Sequence, residues 1–177
     1  ALALVLLVGS GLMFRSFQAL RSVDPGFRVE NLLTAQITVP TAEIQGSLEA
    51  AAFFRELRER LAAQPGVTAV GFAQAAPLAG GISFGGIQVE DHPRGPDELP
   101  VFASGNQVAP GYLEAMGIRL LEGRTFRDGD GAEGARAAVV SRSFAERWWP
   151  NASAIGRRIR IGIQDEDWYT IVGVVAD

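Results

Sequence analysis

The 177-residue sequence contains no cysteine and no lysine. Without thiols, neither disulfides nor thiolate metal sites can form, and cysteine usage says nothing of the redox compartment. Without lysine there is no P-loop, whose lysine must reach the β- and γ-phosphates, and no Schiff-base or lysine-nucleophile chemistry. The single histidine, His92, leaves little material for a general base. Basic charge is also short: sixteen residues, all arginine, against twenty acidic ones, for a net charge of -4. Phosphate backbones are bound by basic footprints, so nucleic acid is not an expected partner.

What the chain does have is apolar material, 47% of its residues against 20% charged, enough for one domain, or one domain plus a membrane helix. Residues 1–14 read ALALVLLVGSGLMF without a charge, and Arg15 and Arg21 follow. At about 1.5 Å per residue, fourteen helical residues cover roughly two thirds of a hydrocarbon layer about 30 Å thick. A signal peptide would place its charge before the apolar run and a small-residue cleavage site after it, the reverse of what is found. A buried core helix is a second reading. The reading we carry forward is the end of a membrane-spanning helix whose start lies outside the chain, and the absence of an initiating Met fits a fragment. Arg15 and Arg21 would then meet lipid headgroups, and Asp24-Pro25-Gly26 would stop the helix. This divides the chain into residues 1–23, an anchor, and residues 24–177, an extracytoplasmic unit expected to be incomplete at its C-terminal end. The arginines give only a weak orientation signal, since long domains translocate regardless of such charges.

Along that unit, the β-branched stretch 32–39 predicts a strand before Pro40. Ser47 can cap a helix over residues 48–63, with Phe54, Leu57 and Leu61 on one face and Arg55, Arg58 and Glu59 on the other. Glu56 and Arg60 form an i,i+4 pair. After Gln64-Pro65-Gly66, residues 67–74 predict a second strand. Glycine-rich residues 77–86 lead to strands at 86–90 and 99–108, joined by a charged, proline-bearing connection. A short helix fits 111–116, opened by Pro110 and closed by Gly117. Residues 118–126 mix strand and turn, and 127–136 form a loop. A strand at 137–140 precedes a helix capped by Ser141 and stopped by Pro150. Residues 155–163 alternate Ile159, Ile161 and Ile163 against Arg158 and Arg160, and pair as a hairpin with 168–175. Two strand–helix–strand blocks with hairpins between them predict an α+β domain with a mixed sheet.

Several motifs are weaker than they look. Gly81-Ile82-Ser83-Phe84-Gly85 matches G-x-S-x-G, but a nucleophile elbow needs a helix after the serine, and here a strand follows. Gly129 to Gly134 matches G-x-G-x-x-G with the strand after the loop, not before it. Asp128, Asp130 and Glu133 fail the EF-hand spacing, so a solvated turn is expected there. Asp165-Glu166-Asp167 reads as a hairpin tip, and Asn151-Ala152-Ser153 is a formal glycosylation sequon. Trp148 and Trp149 are adjacent, and side chains about 100° apart on a helix enter one core only if the helix end bends. Otherwise one of them faces a partner or the membrane surface.

Taken in order, ALALVLLVGSGLMFRSF, VDPGF (Val23 to Phe27), LAAQPGV (Leu61 to Val67), VAPGYLEAMGIRLLEGRTF (Val108 to Phe126), VVSRSFAERWWP (Val139 to Pro150), IGRRI (Ile155 to Ile159) and IVGVVAD resemble the periplasmic core region of MacB/FtsX-type ABC transporter permeases. Ala154 departs from the pattern, which has Pro before Ile-Gly. The resemblance implies a position between the first two membrane helices of a dimeric permease in the bacterial inner membrane, in contact with lipid. It implies power from a separate cytoplasmic ABC ATPase subunit, work spent on export, lipoprotein release or regulation of cell-wall enzymes, and a periplasmic or envelope protein as a further partner. No catalytic residue, cofactor or metal ligand comes with it, and Pro110, Gly111, Gly117, Gly123 and Gly156 read as scaffold. The competing functional readings are a membrane-anchored binding or assembly module that moves no substrate, and an esterase built on Ser83.

Overall fold

The computed structural model describes residues 2–21, 25–38, 47–76, 82–95, 98–131, 135–162 and 167–177. Helix α1, Leu2–Arg21, takes up the apolar run and ends just before the Asp-Pro-Gly stop. Its large side chains, including Leu6, Leu7, Leu12, Met13, Phe14, Phe17 and Leu20, are exposed. Among the described residues none of these side chains is buried in a core, unlike the apolar face of a buried core helix. Among the described residues no helix is long and apolar enough to cross a membrane.

Two expected strands do not form. Residues 32–38 form no regular secondary structure, and Leu33 stands 93% exposed. Their β-branched composition favours extended backbone, but a strand also needs a free sheet edge, which the sequence of one segment does not encode. Val39 and Pro40 lie outside the described residues. Residues 67–74 reduce to one antiparallel bridge, Ala73 to Val108, held by Gln74 N–H donating to the Gln107 carbonyl and Ala109 N–H to the Phe72 carbonyl. The polar clamp here is Asn106, which donates to the Ala75 carbonyl at 2.7 Å and accepts from its N–H at 3.1 Å.

Helix α2, Ser47–Ala62, agrees with the predicted helix to within a residue. Its inward face differs from the expected one. Phe54 packs on Phe72, with ring centroids 5.2 Å apart, and Arg58, expected to face solvent, turns inward while Leu61 is exposed. The reason is that Arg58 finds acceptors: the Pro110 carbonyl at 3.2 Å and both Asp128 oxygens at 2.7 and 2.9 Å.

Strands β1, Ile82–Val89, and β2, Val101–Gly105, form an antiparallel hairpin. Helix α3, Tyr112–Met116, follows, burying Leu113 and Met116. Then come β3, Leu120–Gly123; β4, Ala137–Ser141; α4, Arg142–Trp148; β5, Arg158–Ile161; and β6, Trp168–Val175. Among the described residues these strands make one mixed sheet in the order β2-β1-β5-β6-β3, with β4 added parallel to β6. Of the two expected strand–helix–strand blocks, only β4–α4–β5 has its strands.

Register explains the core. Val89, Ile159 and Tyr169 lie opposite one another on β1, β5 and β6, with Ile87 and Ile161 beside them on the same face. That face joins Val140, Ile171, Val174 and Trp149 in a core in which Ile171 is fully buried. Two glycines let backbones meet. Gly111 has φ +90°, and a Cβ there would lie 2.4 Å from the Val70 carbonyl. Gly123 has φ +77° and would put a Cβ 2.2 Å from the Val172 carbonyl. Both conformations and both spacings need glycine.

Ser141 caps α4 as predicted, its hydroxyl accepting from Phe144 N–H at 3.3 Å. The helix ends between the tryptophans: Trp149 is its C-cap, at φ -134° and ψ 63°. That bend lets both rings reach the core, with Trp149 buried and Trp148 packed against its edge.

Candidate functional site

Ser83 lies within β1, opposite Ser104 of β2, so it sits in an antiparallel ladder and not on a strand-to-helix elbow. His92 is exposed, its backbone N–H donates to the Val89 carbonyl at 3.0 Å, and its ring lies 5.5 Å from that of Trp148 and 6.4 Å from that of Trp149. This places the histidine on the tryptophan corner as a packing element.

Among the described residues of the 127–136 loop, both acidic side chains are paired with arginines. Asp128 accepts from Arg58, as above. Asp130 accepts from Arg124 Nη1 at 2.6 Å and Nη2 at 2.8 Å, and from Arg127 N–H at 2.8 Å. The Arg124 guanidinium holds the Asp130 carboxyl below the usual carboxylate range, partial burial opposes it, and the Arg127 N–H adds to the lowering. The same bond raises Arg124 above its ordinary value. Gly129 and Gly131 belong to this turn, and residues 132–134, with Glu133, lie outside the described residues. Among the described residues no cluster of three or more His or acidic side chains is placed to hold a metal. At the β5–β6 hairpin Asp167 pairs with Arg136, while Asp165 and Glu166 are outside the described residues. In the sequon, the Ser153 hydroxyl is taken by Glu122.

What the geometry does offer is a sheet with one buried and one open face. On the open face Gln88, Arg160 and Trp168 stand in a row across β1, β5 and β6. Arg158, one step along, donates to Glu90, with Nε 2.7 Å from its acceptor, and lies opposite Thr170. The Arg160 guanidinium stacks on the Trp168 ring at 4.5 Å, and Arg158 lies 5.9 Å from it. An open cleft of about 310 Å³ beside this row is lined by Gln88, Val89, Glu90, Pro93, Arg94 and Trp168. A second cleft, of about 330 Å³, runs between α4 and β3, past Leu121, Trp149 and Val174. The alternation of β5 made its two faces legible in sequence. That the open face converges on Trp168 was not, because it depends on register across three strands.

Sequence comparison matches residues 1–177 to the family described as MacB-like periplasmic core domain. A comparison with curated proteins found no match. Similar solved structures include the periplasmic region of MacB from Actinobacillus actinomycetemcomitans, at 15% identity and TM-score 0.48 over 70% of this chain and 50% of that one. Another is the extracellular domain of the noncanonical ABC-type transporter YknZ from Gram-positive bacteria, at 22% identity and TM-score 0.42, with 69% and 56% covered. A third is a domain of a putative permease protein from Porphyromonas gingivalis, at 20% identity and TM-score 0.42, with 64% and 41% covered. The chain thus spans about half the length of these structures.

Proposed function

Since the chain belongs to the family of MacB-like periplasmic core domains, we propose that it is the extracytoplasmic part of an ABC transporter permease subunit, with residues 1–23 as the end of its first membrane span. In this reading residues 24–177 do no chemistry. They transmit conformational work, driven by ATP hydrolysis on a separate cytoplasmic subunit, to export, lipoprotein release or a similar task outside the membrane, within a permease dimer.

The observation that carries the proposal is the exposure of α1. Leaving a large apolar side chain in water instead of burying it forgoes about 1.5–3 kcal/mol. The eight exposed on this helix together match or exceed the whole net stability of a domain, roughly 5–15 kcal/mol. Lipid removes that cost. Ser10 suits such a solvent, since its hydroxyl donates to the Leu6 carbonyl at 2.8 Å and is satisfied within the helix.

The coupling is tested in the complete transporter by a spin label at Glu114→Cys, an exposed site on α3. The label-to-label distance across the dimer is expected to change between the nucleotide-free and ATP-bound states. One unchanged distance distribution in a transporter that hydrolyses ATP would favour the anchored, non-transporting module.

A further inference from the structure

Asp-Gly occurs twice in the chain, at Asp128-Gly129 and Asp130-Gly131, both in the turn after β3. In such a pair the glycine amide nitrogen, unhindered by a side chain, can reach the carbon of the preceding carboxyl group. Both glycines have open space around them, so the two sites differ in how their carboxyl groups are held.

Asp130 is fixed within its own turn. Its side chain is 11% exposed, and three donors hold its oxygens: Nη1 and Nη2 of Arg124 and the backbone N–H of Arg127. Asp128 is tied from a distance. Its side chain is 61% exposed, and among the described residues only Arg58 donates to it. Arg58 comes from α2, in which no described side chain is fully buried. An ion pair with one carboxylate this open to water is weak, and elements with few buried contacts open most often. While Arg58 is in place it keeps the carboxyl turned toward α2. Each opening frees that carboxyl to turn back on Gly129.

We propose that Asp128-Gly129 is a site of spontaneous isoaspartate formation gated by Arg58, and that the modification cuts the tie of α2 to this turn. The Gly129 nitrogen attacks Asp128 Cγ, gives up its proton and expels a carboxyl oxygen as water, closing a five-membered succinimide. Water then adds to the main-chain carbonyl carbon of Asp128, the bond from that carbon to the Gly129 nitrogen breaks, and the nitrogen regains a proton. The water lost is returned, so mass is unchanged and nothing is oxidised or reduced. The backbone now runs through Cβ and Cγ, one atom longer, and the free carboxylate sits directly on Cα, a methylene short of its former reach to Arg58. The inference is independent of the transporter reading, because it rests on this turn and α2 and not on α1.

The test ages the full chain in detergent micelles in mildly acidic buffer, excises residues 123–133 with a glutamate-specific protease and locates isoaspartate by electron-transfer fragmentation. Isoaspartate is expected at position 128 at least about tenfold faster than at 130, whereas in the urea-unfolded chain, where neither carboxyl is held, the two rates should agree within about twofold. Arg58→Gln should speed position 128 about two- to fivefold, the reach of an exposed ion pair, and leave 130 unchanged. Gly129→Ala should slow position 128 by hindering the nitrogen. Equal rates at the two positions of the folded protein, no isoaspartate at 128 where the unfolded chain forms it, or a rate at 128 unmoved by Arg58→Gln or Gly129→Ala would overturn the proposal. In the isolated isoaspartate fraction the amides of α2 should exchange hydrogen faster than in fresh protein. Unchanged exchange would overturn the release of α2.

Discussion

Arg124 and Asp130 close the turn after β3 with two parallel hydrogen bonds, 2.6 and 2.8 Å long, and the Asp130 side chain is only 11% exposed. The folded state holds Asp130 below its ordinary carboxylate value, chiefly through Arg124. A lowered folded pKa adds stability above the unfolded value, and that stability is lost as pH falls through the folded one. Asp130→Asn should therefore cost about 2 kcal/mol near neutral pH and progressively less below the normal carboxylate range. Urea unfolding of both proteins along a descending pH series checks this. A constant difference across the series would contradict it.

At Gly123 the left-handed backbone and the Val172 carbonyl leave no room for a side chain. Gly123→Ala should cost about 3 kcal/mol, combining the left-handed penalty with a backbone clash. Gly129, with open space around it, should accept alanine within about 0.5 kcal/mol. Comparing the two in thermal melts separates the requirement at position 123 from a general intolerance of loop substitutions.

The bend between the tryptophans predicts unequal roles. Trp149 is 6% exposed inside the core, so Trp149→Ala should cost about 3–5 kcal/mol. Trp148, flanked by His92, Phe144 and Arg147 at the core's edge, should cost roughly half as much on the same scale. Equal losses would mean that both rings are core residues of one kind.

These elements show what the sequence could and could not tell. Features set within a few residues were legible: the Ser141 cap, the α3 stop at Gly117, the limits of α2 and the two faces of β5. The strands expected at 32–39 and 67–74 failed because composition encodes an extended backbone but not a neighbour to pair with. Arg58 was misplaced for a similar reason, since its acceptors, Pro110 and Asp128, lie 52 and 70 residues away. The tryptophan corner depended on a change of backbone at one residue, Trp149, that no period describes. The open-face cleft required register among β1, β5 and β6, which alternation within each strand leaves free.

Arg58 also offers a test of how α2 is held. Its guanidinium ties the helix to the Asp128 turn, with side chains 20% and 61% exposed. A double-mutant cycle of Arg58→Gln with Asp128→Asn should give a coupling of about 0.5–1 kcal/mol. Arg58→Gln alone should cost more than Asp128→Asn alone, because it also leaves the Pro110 carbonyl without its donor. The reverse ranking would mean that the bond to Pro110 contributes nothing.

The placement of the folded part outside the membrane can be read directly because the chain has no cysteine. A single Ser104→Cys, at an exposed position of β2, is expressed in bacteria and treated with a membrane-impermeant maleimide in intact spheroplasts. The account predicts that the protein sediments with membranes and is labelled as fully before permeabilisation as after it. Labelling only after permeabilisation, or recovery of the chain in the soluble fraction, would contradict it.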